Sequence, residues 1–229
     1  MSVHHLSSSV LSPAAYSPSL VQATVTTPAR STMRTLAQRA LLAPTGGQAQ
    51  LRQLASHDLQ WLPQLCELLT DGVHRGASLG FLAPLSKYAA LEYWHGVFAR
   101  LGPRHQLWVA CEGEGKNEGT EANTRLLGSV QLSLCPSANA HHRGEVQQLM
   151  VHSQARGQGL ASRLMTRLEC AALAQGRSLL VLETQSGSQA EAVYAHLGWQ
   201  RAGEIPEYGA CAEGQLQGAA LYYKRLQRP

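Results

Sequence analysis

Apolar and polar residues alternate over residues 50–54, the two-residue period of a half-buried strand. Over 59–73 the apolar positions recur at three- and four-residue spacing, which predicts a helix, with Ser56 or Asp58 available to cap it. A second helix is predicted over 86–101, turning Tyr88, Leu91, Trp94, Val97 and Phe98 inward and ending at Gly102-Pro103. Strands follow at 106–112 and 125–135, joined by a polar loop rich in Gly and Glu over 113–124 that is expected to be mobile and solvated. The rest reads as a strand at 144–151, an amphipathic helix at 157–175, a buried strand at 178–184, a short helix at 191–197, and strands at 200–205 and 216–226. Strands and helices interleave without an internal repeat. The expected class is therefore α/β, with one mixed sheet flanked by helices in a domain spanning 48–229.

Residues 1–47 differ in kind: they are rich in Ser, Thr, Ala and Pro and contain no acid. Such a segment buries too little to fold alone and is expected to be a disordered extension. An organellar targeting peptide, or translation that begins at Met33, fits the same composition. The net charge of +4 belongs to the residues before Asp58, because Arg30, Arg34, Arg39 and Arg52 are the only charged ones there, leaving 15 basic and 15 acidic residues beyond. No basic stripe with interleaved aromatics follows, so nucleic acid is not an expected partner. No apolar run approaches the ~18 residues of a membrane span, so no membrane partner is expected either. Cys66, Cys111, Cys135, Cys170 and Cys211 are irregularly spaced, and His141-His142 lack a third ligand, so neither a disulfide framework nor a metal site is expected. A cytoplasmic location is expected, with an organelle as the alternative if the host is eukaryotic.

The chemistry concentrates where the strand at 144–151 gives way to a helix. Gly157 and Gly159 let the backbone approach a ligand closely, and the helix that begins there points unpaired N–H groups and its positive dipole end into the turn. An anion is the expected occupant. A P-loop would end in Gly-Lys-Ser/Thr, and no lysine follows Gly159. A dinucleotide-binding turn would want a third glycine where Ser162 stands, although Glu183 does lie about 20 residues beyond. The run Arg156-Gly157-Gln158-Gly159-Leu160-Ala161 resembles the Arg/Gln-x-x-Gly-x-Gly/Ala motif of the GNAT acetyltransferases, with Arg156, Gly159 and Ala161 carrying the pattern. The following strand, the helix bearing Tyr194 and the pair Gly198-Trp199 also resemble the second half of that domain. Residues 74–82, with Glu145 and 148–151, resemble the tabtoxin-resistance type of small-molecule N-acetyltransferase, a likeness that covers about residues 51–226.

The resemblance implies a GNAT fold: a mixed, mostly antiparallel twisted sheet flanked by helices, with splayed central strands and a turn for the acetyl-CoA pyrophosphate. It implies acetyl-CoA as co-substrate and no metal. Amides of Gln158, Gly159, Leu160, Ala161 and Ser162 would hold the pyrophosphate, with Arg156 or Arg163 adding charge; a solvated helix face is the plainer reading of Arg163 and Arg167. Leu149, Met150 and Val151 would lie along the pantetheine arm, with the Met150 N–H facing the developing oxyanion. Glu145 and Glu183 stand in otherwise apolar strands and would deprotonate the amine, though the family group has Asp where Glu183 stands; either could instead be a paired or solvated strand-end carboxylate. Tyr194 would return a proton to the leaving thiolate, or else simply pack on the sheet. His74, Arg75, Ser78, Phe81 and Trp94 would shape an acceptor pocket, Trp94 having the core as its commoner fate. The implied reaction is direct acetyl transfer in a ternary complex to a small-molecule primary amine of amino-acid, toxin or antibiotic type. The alternatives are a protein lysine or N-terminal acetyltransferase and a non-catalytic acyl-CoA sensor, and the possibility of a homodimer is left open.

Overall fold

The computed structural model describes residues 49–112 and 124–227. The expected N-terminal extension, and the mobile loop apart from Thr124, lie outside the described residues. Among the described residues one seven-stranded sheet runs in the order β1-β2-β3-β4-β5-β7-β6. The strands are β1 (Gln50–Leu54), β2 (His105–Glu112), β3 (Arg125–Leu134), β4 (Arg143–Val151), β5 (Leu179–Gln185), β6 (Gln200–Ala210) and β7 (Leu216–Arg225). Every neighbouring pair is antiparallel except β4 and β5. Those two pair in parallel only from Arg143–Glu145 against Leu179–Val181, and beyond that rung they part. This is the splayed, mostly antiparallel sheet that the resemblance implies.

Four α-helices flank it among the described residues: α1 (Leu62–His74), α2 (Lys87–Arg100), α3 (Leu160–Ala174) and α4 (Gln189–His196). Alternation sends Leu107, Val109 and Cys111 of β2 to one face, where they meet Leu65, Leu69, Trp94, Val97 and Phe98 of α1 and α2. Trp108 and Ala110 go to the other face, with Leu164, Met165 and Leu168 of α3 and Tyr194 of α4. Burying these two apolar layers is the main stabilising term. Among the described residues no helix is long and apolar enough to cross a membrane.

Several local expectations change. The first helix begins as a 3-10 turn, Leu59–Trp61, and Asp58 does not cap it; its carboxylate instead accepts from the Ala55 N–H at 2.8 Å and the Gln60 amide at 3.3 Å. Ser86 does cap α2, its hydroxyl accepting the Ala89 N–H. Tyr88 and Leu91 face solvent rather than the core, at 76% and 40% exposure, and Ala90 takes the inner position. Helix α3 starts at Leu160, because Gly159 is its left-handed N-cap, and β6 runs five residues past the predicted end. Of the cysteines, Cys111 and Cys211 are buried while Cys170 is exposed.

Candidate active site

The turn after β4 is built by conformation before chemistry. Gly157 and Gly159 have φ of +78° and +72°, and a Cβ at either would meet nothing within 4 Å. Glycine is therefore required by the backbone, while the space in front of the turn stays open. The first bond back along α3 runs from the Arg163 N–H to the Gly159 carbonyl, so the N–H groups of Leu160, Ala161 and Ser162 precede the helical ladder. No acid stands in the first turn of α3. Free amides, an unopposed dipole end and an exposed Arg156 suit a pyrophosphate. Arg163 is directed elsewhere: its guanidinium donates to the Ala49 carbonyl beside β1. Arg167 lies over the Trp108 ring at 4.6 Å.

Ahead of the turn β4 carries a bulge. Ser129 pairs with Met150 and Gln131 with Gln147, so Gln148 and Leu149 together face Val130. Gln148 adopts φ +51°, unusual for a residue with a side chain, and its amide donates to the Leu79 carbonyl at 3.1 Å. Gly128 permits the close crossing of β3 and β4 here, since a Cβ would sit 2.7 Å from the Met150 carbonyl oxygen. Met150 is buried, and Leu149 and Val151 are half-buried against the core under α3. The bulge lies beyond the last rung that β4 shares with β5.

The two acids of the central strands, Glu145 and Glu183, are both exposed. Helices α1 and α2 pack on β1 to β3 and, through Met150, on the far part of β4, and the two acids are exposed on that same face. Glu145 sits opposite Val181, which puts it on the same face as Glu183 two residues on. The Gln147 amide donates to the Glu145 carboxylate at 2.8 Å. Tyr208 of β6 lines one recess with Glu183, and interaction with the Glu183 carboxylate, with a smaller contribution from Glu145, holds its hydroxyl above the usual range. Ser78, Glu183, Gln185, Tyr208 and Gln217 line a shallow recess of about 60 Å³. Sequence reasoning did not single out Gln147 or Tyr208. Tyr208 reaches Glu183 only because β6 bulges between Ile205 and Gly209, with Glu207 at φ +52°, and no local signal marks that bulge.

Tyr194 is 6% exposed, packed between Trp199 and Tyr222 with ring centroids at 6.0 and 5.8 Å. Burial pushes its hydroxyl up to about 12. The residues expected to shape an acceptor pocket divide. His74 closes the base of the loop after α1, its Nε2 accepting the Leu85 N–H at 3.3 Å, and Arg75 is paired with Asp71 at 3.8 Å. Ser78 reaches the recess. Phe81 is half-buried, edge-on to Tyr93 at 5.3 Å, and Trp94 is wholly enclosed in the core. The loop also bonds across to the β6–β7 turn, the Ala83 N–H donating to the Ala212 carbonyl at 2.8 Å.

Comparison with known proteins places this arrangement. A model described as the acetyltransferase (GNAT) family matches residues 72–199. An N-acetyltransferase from Staphylococcus aureus Mu50 superposes with a TM-score of 0.61 at 19% identity, over 78% of this chain and 99% of that one. A GNAT superfamily phosphinothricin acetyltransferase from Sinorhizobium meliloti, in complex with AcCoA, gives 0.59 at 18% identity, over 78% and 88%. A ribosomal-protein-alanine N-acetyltransferase from Brucella melitensis gives 0.58 at 19%, over 77% and 99%. At these identities the likeness concerns the fold, and the names span different acceptors.

Proposed function

The chain belongs to the acetyltransferase (GNAT) family, and we propose that it carries the acetyl group of acetyl-CoA to the primary amine of a small molecule by direct attack in a ternary complex. One observation carries the reading: β4 and β5 part after the rung Glu145–Val181, with Glu145 and Glu183 exposed there, and β4 runs on into an open turn at 156–162 that begins a helix.

In this reading the amides of Gln158 to Ser162 hold the pyrophosphate and Arg156 adds charge. The bulge aims the Met150 N–H at the thioester carbonyl, with Leu149 and Val151 flanking the pantetheine arm. Glu183 or Glu145 takes a proton from the ammonium, and the neutral amine attacks the carbonyl carbon. The C–N bond forms, the Met150 N–H stabilises the oxyanion, and collapse breaks the C–S bond as the nitrogen gives up its second proton to water. Tyr194 keeps its proton until a thiolate develops beside it, then supplies it. Burial against Trp199 and Tyr222 fixes the ring for that task. Ser78 and the loop around Phe81 border the acceptor, while Trp94 supports the loop from the core.

A peptide amine is the second reading, favoured by the shallowness of the recess and the exposed edge along β6. The deciding experiment incubates the full chain with acetyl-CoA and separate panels of small amines and lysine- or alanine-ended peptides. Free thiol should appear with small amines. Release with peptides alone selects the second reading, and release with neither refutes transfer to amines altogether.

A further inference from the structure

We propose that Asp71 is a positioning residue that holds the pyrophosphate turn from the acceptor side of the site, so that acetyl-CoA affinity depends on a carboxylate that touches no part of the cofactor. The proposal rests on the reading of 156–162 as the acetyl-CoA cradle.

Ser153 opens the 3-10 turn, Ser153–Ala155, that leads from β4 into Arg156-Gly157-Gln158-Gly159. Its N–H and its hydroxyl both donate to Asp71, to Oδ2 and Oδ1, at 2.8 Å each. The two residues are 82 positions apart, so this is a tertiary fastening and not a local turn. Two donors from one residue on both oxygens of one carboxylate fix direction as well as distance. The Asp71 side chain is only 16% exposed, which shelters the bonds from water. Burial works against the charge on Asp71, yet the Ser153 donors, with His152 and Arg156, outweigh it and keep the carboxyl below its usual range.

Asp71 lies one turn before the end of α1, where the acceptor loop begins. Arg75, at the start of that loop, donates its N–H to the Asp71 carbonyl at 3.1 Å. The neighbouring Gly72 packs against the loop, since a Cβ there would stand 2.8 Å from Leu79 Cδ1, which would have to shift, and 4.0 Å from Met150 Sδ. The same Leu79 receives the Gln148 amide from the β4 bulge. Loop, bulge and turn thus share one rigid corner, and Asp71 is its link to the turn. Releasing the link leaves the turn in place but free to sample other arrangements, and acetyl-CoA must then reorder it on binding.

The test is acetyl-CoA calorimetry on the full chain, with thermal unfolding alongside, for the wild type, Asp71→Asn, Ser153→Ala and the double variant. Asp71→Asn should weaken acetyl-CoA about tenfold, as loss of one charge-assisted hydrogen bond does. Ser153→Ala should weaken it less, and the double variant no more than Asp71→Asn alone. Unchanged affinity in both single variants, whatever their melting points, overturns the proposal by making the contact purely structural. Additive losses overturn it too, because the residues would then act separately. Should Asp71→Asn fail to fold, Ser153→Ala decides, with an affinity equal to wild type counting against. A wild type that does not bind acetyl-CoA refutes the cradle itself, an outcome visible before any variant is compared.

Discussion

Glu145 faces Val181 in the last rung that joins β4 to β5, so its side chain shares a face with Glu183 at the point where the strands separate. Both carboxylates are exposed, and each has a polar companion, Gln147 for Glu145 and Tyr208 for Glu183. A neutral amide cannot take the proton from the ammonium, so replacing the acting acid with Gln should lower kcat by about 100-fold or more. Glu145→Gln and Glu183→Gln should therefore differ, and kcat/KM of each variant identifies the one that acts as base. Wild-type turnover in both would make the pair structural.

The two acids bear on the acceptor through their charge, since two exposed carboxylates on one face favour an amine that carries a second ammonium. Butane-1,4-diamine should give a higher kcat/KM than butylamine, and 4-aminobutyrate the lowest of the three, because its carboxylate would face a second carboxylate. The order is read from initial rates of thiol release at fixed acetyl-CoA. A preference for 4-aminobutyrate would mean that a cation such as Arg143, two residues before Glu145, governs the acceptor instead.

Much of this corner was legible because strong local signals made it. Two glycines around Gln158 announced a turn open to a ligand, and Leu160, Leu164 and Leu168 announced the helix behind it. The inner face of α2 was misread where the signal was weak. Ala90 marks the buried stripe but is too small to stand out, whereas Tyr88 is conspicuous and lies about half a turn away. Contacts between distant segments had no sequence signal at all. Asp71 with Ser153, and Tyr208 with Glu183, depend on strand order and on bulges that periodicity does not encode.

Gly159 is the sharpest test of the turn. At φ +72° with open space around it, a methyl group would meet no atom, so Gly159→Ala costs backbone strain alone, roughly 1–2 kcal/mol. The helix start should shift to relieve it, and acetyl-CoA affinity should fall more than stability does. Calorimetry and thermal unfolding on the same sample separate the two losses. Equal affinity in the variant would remove the turn from the cofactor site.

Tyr194 joins stability to mechanism. Its hydroxyl is pushed up to about 12 by burial, above the value of about 10 in an unfolded chain. A group raised on folding stabilises the folded state fully below its unfolded value and ceases to do so as pH climbs through its folded one. Stability should therefore decline from about pH 10 towards 12, and Tyr194→Phe should flatten that decline while keeping the packing with Trp199 and Tyr222. Below pH 10 the wild-type hydroxyl holds its proton, so Tyr194→Phe should lower kcat by about 100-fold with acetyl-CoA affinity nearly unchanged. Turnover equal to wild type, with only the alkaline unfolding altered, would show that the ring is there for packing and that the thiolate takes its proton from water.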